Sequence, residues 1–378
     1  MKFIKQRFSS FFVLISLIAM LFGLSSPVLS QAEGPNKVYL PFVAKQLPSP
    51  TPTHFSTSWY VTPYMFRTTG TKSNMYYKGL QAAELTRPPG KQDQLVILNY
   101  GRPKYVSGVY GTRILSSLST SFTSFDQIIG NVQDYILGYM AGTAAIGDYE
   151  SHLELGVGTN NINWYYYADR VCSGYFCTTA EAYNHGKAWA LMIGQLNDWV
   201  IRQGLANRVS VAGASDIELS WNTAAISHAW VKGFDDHDRG FYIFYNFGAC
   251  EGCDVGINLT RPPDPNKKLT GDWTHAKVHY SAWQAGSAWP IPEIYLNNGW
   301  NANQWANISK VGTMLGYYKM YFFSTLTQYQ ACQSVDDPYC SSTDNTPQEG
   351  ATQLLEALNT RPETAQDSIP YLTDIDWP

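Results

Sequence analysis

Charge is scarce in this chain. Asp, Glu, Lys and Arg make up 15% of its 378 residues, with 26 basic side chains against 30 acidic ones. A surface without basic excess argues against nucleic acid or anionic lipid as the partner. Long apolar runs are absent after residue 24, so nothing later in the chain approaches the length of a transmembrane span. No Gly-rich phosphate loop follows any strand-like segment, which argues against nucleotide chemistry. Cysteine is limited to six residues, all in close pairs and none near the end of the amino-terminal apolar run, so nothing there suggests a lipid anchor.

The amino terminus has the pattern of a secretory signal: Lys2, Lys5 and Arg7, the apolar run over residues 11–24, then small residues around Val28 and Ser30. Residues 1–30 are therefore expected to be a signal peptide and the protein to be secreted, extracellular or at the cell surface. Cleavage after Ser30 and cleavage after Ala32 both fit. Without Lys2, Lys5 and Arg7 the chain keeps 23 basic against 30 acidic residues, a net charge near −7. Residues 31–53 read as a short apolar segment followed by a semi-extended Pro/Ser/Thr linker. The remaining residues, 54–378, are large for one sandwich and ordinary for one barrel. In an oxidising compartment the pairs Cys172/Cys177, Cys250/Cys253 and Cys332/Cys340 read first as local disulfides. A zinc site from Cys250, Cys253, His275 and His279 is the weaker alternative.

Aromatic side chains are abundant, with 26 Tyr and 12 Trp. Flat amphipathic rings suit stacking on sugars, and they also serve as ordinary core material.

The rest of the chain is organised around residues 208–222. Val209, Val211 and Ala212 predict a buried strand, and Ser220 to Thr223 supply cap chemistry for the helix that follows. Asp216 and Glu218 stand two apart at the carboxyl end of that strand, where side chains i and i+2 share a face about 6.6 Å apart along the axis. An acid pair at that end of a barrel strand can divide acid and base work. The plainer reading has Asp216 capping the turn and Glu218 meeting a cation at the rim.

Strand-like and helix-like segments alternate along the chain, the pattern of a parallel sheet wrapped by helices. Besides the strand within 208–222, strands are expected at 56–61, 95–101, 152–161, 241–248, 277–284, 291–299 and 321–328, the last as the closing strand. Thr178 with Glu181 forms a capping box for a long helix ending before Gly204. The fold class is α/β: one (β/α)8 TIM-type barrel, with a doubly wound open sheet as the alternative.

The carboxyl ends of these strands assemble a candidate site. Its acids are Glu218, Asp216, Glu154 and Glu293, and its substrate-binding side chains are Asn99, Asn160, Asn161, Trp221, Asn246, Trp283, Gln284, Tyr295 and Gln328. Carboxylates, amides and rings on one rim are what a carbohydrate cleft uses. Each also has a plain role: Glu154 as a paired acid inside the barrel, Glu293 in a salt bridge, the Asn residues satisfying turn backbone.

At these residues the chain resembles a known type. The export signal, the barrel and D-x-E on a middle strand resemble the glycoside hydrolase superfamily barrels, most nearly the family 25 lysozyme-like proteins. Segments 95–101, 155–161, 213–221, 289–299, 326–332 and 343–350 resemble a group of secreted bacterial proteins of unassigned activity. The first resemblance implies Glu218 as general acid and Asp216 as its carboxylate companion. That family also has an aspartate at the end of its first strand, and in the corresponding 95–101 this chain has Asn99, so another acid such as Glu154 or Glu293 would have to serve. The expected function is hydrolysis of a polysaccharide or cell-wall glycan without a cofactor or metal. A barrel that binds glycan without cleaving it is the alternative, and a metal-dependent hydrolase using Asp216, Glu218 and a His is a weaker third reading.

Overall fold

A computed structural model describes residues 54–376 apart from 88–89, 115–121, 164–174 and 336–337. The expected leader, the linker and Cys172 lie outside the described residues. Eight parallel strands succeed one another in both sequence and space. They are β1 (His54–Tyr60), β2 (Gln94–Asn99), β3 (Leu153–Asn160), β4 (Val209–Asp216), β5 (Phe244–Asn246), β6 (Ala288–Pro290), β7 (Ser324–Thr327) and β8 (Tyr371–Asp376). Each pairs with the next except β6 with β7, and β8 pairs with β1. The last gap is bridged just past β6, where Glu293 stands opposite Leu326 of β7. There Ile294 donates its N–H to Leu326 O and Leu326 donates to Pro292 O, both at 2.9 Å. The result is a nearly closed (β/α)8 barrel and not an open sheet.

Three expected strands need correction. Residues 277–284 are helical: α5 (His275–His279) runs into a wider turn over Tyr280–Gln284 in which Ala285 N–H donates to Tyr280 O. Thr274 caps that helix by accepting from Lys277 N–H, and the buried residues His275, Val278, His279 and Ala282 have helical spacing, so the apparent alternation was misleading. The closing strand is not 321–328, of which Ser324–Thr327 forms β7, but Tyr371–Asp376 at the end of the chain. Residues 291–299 are not a strand: β6 ends at Pro290, and beyond it only the single bridge at Glu293 continues the pairing.

The intervening helices are α1 (Asn74–Ala83), α2 (Phe125–Ala145), α3 (Thr179–Arg202), α4 (Ala224–Asp235), α5, α6 (Trp300–Met314) and, on either side of a short helical turn at Cys340–Thr343, α7 (Tyr329–Ser334) and α8 (Pro347–Asn359). The Thr178–Glu181 capping box opens α3 as its sequence predicts, and Trp189, Met192, Ile193, Leu196 and Val200 of that helix are buried.

Period-two alternation sorts the strand residues into two cores. Leu95, Ile97, Ala212, Ala214, Tyr245, Phe247, Ile291 and Leu326 fill the barrel, while the alternate residues pack under the helices. Strand β3 is glycine-rich on its inner face for a steric reason. A Cβ at Gly156 would lie 2.4 Å from Ile97 Cδ1, and one at Gly158 would lie 3.0 Å from the Phe247 ring. Outside the barrel, glycines let helices approach closely. A Cβ at Gly186 of α3 would meet Trp230 O at 2.0 Å, and one at Gly233 of α4 would meet Tyr183 O at 2.1 Å.

Ala favours a helix over Gly by about 1 kcal/mol, whereas forcing apart a packed helix pair costs about 1–3 kcal/mol. Gly233→Ala is therefore expected to destabilise the protein in urea denaturation. Gly130→Ala in α2, where a Cβ meets nothing within 4 Å, is expected to be neutral or stabilising by up to about 1 kcal/mol.

Candidate active site

The carboxyl ends of β1, β4 and β6 converge on three acids. Asp216 is the last residue of β4 and points inward, Glu218 lies two residues beyond it, and Glu293 lies on the bridge that closes the barrel. One oxygen from each lies within 4.8 Å of the others. Asp216 is buried, while Glu218 and Glu293 keep partial exposure, so the trio sits at the floor of the barrel mouth and not in its sealed interior.

Each acid is held by its own partner. Tyr60, the last inward residue of β1, donates its hydroxyl to Asp216 Oδ2 at 3.0 Å, leaving buried Oδ1 without a hydrogen-bond partner. Glu218 Oε1 accepts the Ala249 N–H at 2.7 Å. Its backbone is fixed by Asn161, whose Oδ1 accepts from Glu218 N–H at 3.1 Å and whose Nδ2 donates to Glu218 O at 2.9 Å. Tyr295 hydrogen-bonds to Glu293.

Burial raises all three carboxyls, and repulsion within the trio adds to it at Asp216 and Glu293. For Asp216 burial dominates, followed by the charge of Glu218. Glu293 is raised well above the usual range by burial, then by Glu218 and Asp216. Glu218 rises to about 7 through burial, opposed by the Ala249 N–H and reinforced by Glu251. A carboxylate so placed favours its protonated form, which lets it donate a proton to a bound oxygen. The same trio is the group of metal-ligating side chains close enough to chelate an ion among the described residues, and its all-oxygen donor set suits a hard divalent cation.

Of the residues named from sequence, the structure brings Asp216, Glu218, Glu293 and Tyr295 together. Trp221 stands at the rim, partly exposed, with its N–H donating to Glu218 O at 3.2 Å. Asn99 and Asn160 end their strands facing inward; each uses Oδ1 to accept a nearby backbone N–H, and each Nδ2 is buried without a partner. Asn161 faces the other way and serves the Glu218 backbone and Ser227.

Others lie elsewhere. Glu154 points inward but is the second residue of β3, opposite Ser210. The six residues that separate it from Asn160, the partner of Asp216, span about 20 Å. There it accepts from Ser210 and from Tyr245 Oη, a paired acid at the amino-terminal end of the barrel. Asn246 faces outward, donating to Ser281 O. Trp283 and Gln284 belong to the helical turn that precedes β6, which carries them toward the amino-terminal end, where the Trp283 ring meets Trp289 edge-on. Gln328 tethers a loop through Thr343.

Tyr60 was missed. Its signal was present, since it ends the first strand in inward phase, but only the parallel pairing of β1 with both neighbours reveals that its ring reaches across to β4. The zinc alternative is excluded because Cys250 and Cys253 bond to one another, and His275 Nδ1 donates to Asp264 O at 2.8 Å, away from the trio. Cys332 and Cys340 are also bonded, as their spacing predicts; the expected partner of Cys177, Cys172, lies outside the described residues.

No protein-family model matches the sequence, and no curated protein matches it either. Among solved structures, a modular endo-β-1,4-mannanase of glycoside hydrolase family 26 from Cellulomonas fimi aligns with a TM-score of 0.38 and 10% identity, covering 86% of this chain and 64% of that one. The catalytic domain of a family 26 endo-β-1,4-mannanase from Bacillus sp. JAMB-750 aligns with a TM-score of 0.40 and 14% identity, covering 90% and 79% respectively. The strand order, not this likeness, establishes the barrel.

Removing one acid relieves the crowding. Because the folded-state values are raised, the cost of the cluster is absent below the ordinary carboxylate range and grows as pH rises above it. Glu293→Gln is therefore expected to stabilise the fold by about 0.5–2 kcal/mol at pH 8, and the gain should vanish near pH 4. Thermal denaturation across pH checks this.

Proposed function

We propose that the protein is an exported glycoside hydrolase acting on a polysaccharide or cell-wall glycan, with Glu218 as general acid. The observation that carries this reading is the crowding of Asp216, Glu218 and Glu293 at the open end of the barrel, where one shared negative charge beside a protonated carboxyl is the combination that glycosidic cleavage needs. Because Glu218 Oε1 already accepts the Ala249 N–H, its proton resides on Oε2, free to pass to the leaving oxygen. Glu293 then supplies the carboxylate. Positive charge developing on the sugar ring draws the shared charge onto it, and Tyr295 stabilises it there. Asp216, buried and bonded by Tyr60, keeps its proton, which leaves the shared charge to Glu293. These roles keep the family 25 assignment of Glu218 and move the carboxylate role from Asp216 to Glu293.

Oxygen separations within 4.8 Å lie nearer the roughly 5–5.5 Å of retaining enzymes than the roughly 6.5–9.5 Å of inverting ones. Net retention of anomeric configuration is therefore expected, read by NMR of the first-formed product. A general acid must be protonated, so activity should fall as pH rises through about 7. Glu218→Gln should lower reducing-end release from polysaccharide by about 10²–10⁴-fold, while losing much less on an aryl glycoside whose leaving group needs no protonation. An unchanged rate in Glu218→Gln on every substrate the protein cleaves overturns the assignment.

The acid trio also favours a second reading, a hard cation held by the same oxygens, now without a histidine. Stoichiometric Ca, Mg or Mn in elemental analysis of the purified protein would replace the acid–base scheme. Saturable glycan binding without any bond cleavage would leave a binding barrel instead.

A further inference from the structure

The loop that carries Glu293 and Tyr295 continues to Gly299 and opens α6 at Trp300, which is 49% exposed. Beside it runs the loop after β7, which presents Tyr339 at 77% exposure. These two loops are joined along their length. Asn345 Nδ2 donates to Ile294 O and Leu296 O, each at 3.1 Å; Asn297 N–H donates to Ser342 O at 3.1 Å; and Asn297 Nδ2 donates to Asp344 Oδ1 at 2.8 Å. The second loop is further fixed by the Cys332–Cys340 disulfide next to Tyr339 and by Gln328 on Thr343. So many ties on two surface loops make a rigid shelf that begins at the acid trio.

We propose that this shelf is a binding surface for the part of a glycan chain that extends beyond the cleaved bond, with Trp300 and Tyr339 as stacking platforms. This rests on the hydrolase reading for the direction of the chain. The chemistry selects a sugar over a protein partner. The two rings are set among exposed amides and hydroxyls at Asn297, Asn298, Ser341 and Ser342, not in a contiguous apolar patch of the kind protein interfaces bury. A pyranose offers an apolar C–H face to a ring and hydroxyls to the amides at its edge. Because residues 294–297 and 342–345 are already tied to one another, little conformational entropy is lost there when a chain lies down on them.

The test uses the full-length protein, carrying Glu218→Gln so that no turnover interferes, and galactomannan, xylan, carboxymethylcellulose and solubilised peptidoglycan as probes. At least one probe is expected to bind in affinity electrophoresis and to quench tryptophan fluorescence. Trp300→Ala/Tyr339→Ala should weaken that binding about tenfold or more, and Trp300→Phe/Tyr339→Phe should retain most of it, which separates ring loss from misfolding. In the active protein the double alanine variant should cleave an aryl monoglycoside at close to the original rate while its KM for polymer rises. Binding unaffected by the double alanine variant, or no probe bound by the parent protein, overturns the shelf. Binding that depends on both rings in a protein that cleaves nothing leaves the shelf standing and removes the hydrolase reading alone.

Discussion

Three carboxyl groups share one small volume, and among the described residues no basic side chain is one of the groups that shift them. Two like charges at 4–5 Å repel by about 3–4 kcal/mol at an effective dielectric near 20. A fully ionised trio would contain three such pairs, an energy comparable with the whole stability of a domain, about 5–15 kcal/mol. The cluster therefore keeps protons at neutral pH or takes up a cation. Either outcome is chemically useful, and neither is a state that an ordinary salt-bridged rim would adopt.

Such a cluster persists because the barrel over-determines it. Asp216 is fixed through β4, paired on both edges, and through Tyr60 from the opposite wall. Glu218 is fixed at its backbone by Asn161 and at its oxygen by Ala249, one residue before the Cys250–Cys253 link. Glu293 sits on the bridge that closes the ring, so the pairing that completes the fold also delivers the third acid. Small inner residues on β3 leave room for Tyr245 and Phe247, and this packed layer forms the floor beneath the polar mouth.

Much of this was legible in the residues. The D-x-E pair, the strand before it and the capped helix after it are local features, and local features survived. Glu154 shows where such reading stops: its inward phase was correct, yet it stands near the start of its strand, and inward phase alone does not bring a residue to the carboxyl-end mouth. Residues 277–284 alternate plausibly as a strand, but a Thr cap and buried positions three and four apart made them a helix, and Trp283 and Gln284 left the rim with them. Residues 371–376 are short and carry two aspartates, so nothing in their composition announced a barrel strand. Its partner strand β1 decided the matter by offering an unpaired edge.

The capped helices, the disulfide spacing and two of the three clustered acids were determined by the sequence alone, because periodicity, caps and chain proximity act over a few residues. Which third acid joins them was decided only by the tertiary structure. Glu293 lies 75 positions beyond Glu218 and Tyr60 lies 156 before Asp216, and only closure of the parallel sheet, which brings the ends of β1, β4 and β6 to one mouth, places them within reach of each other.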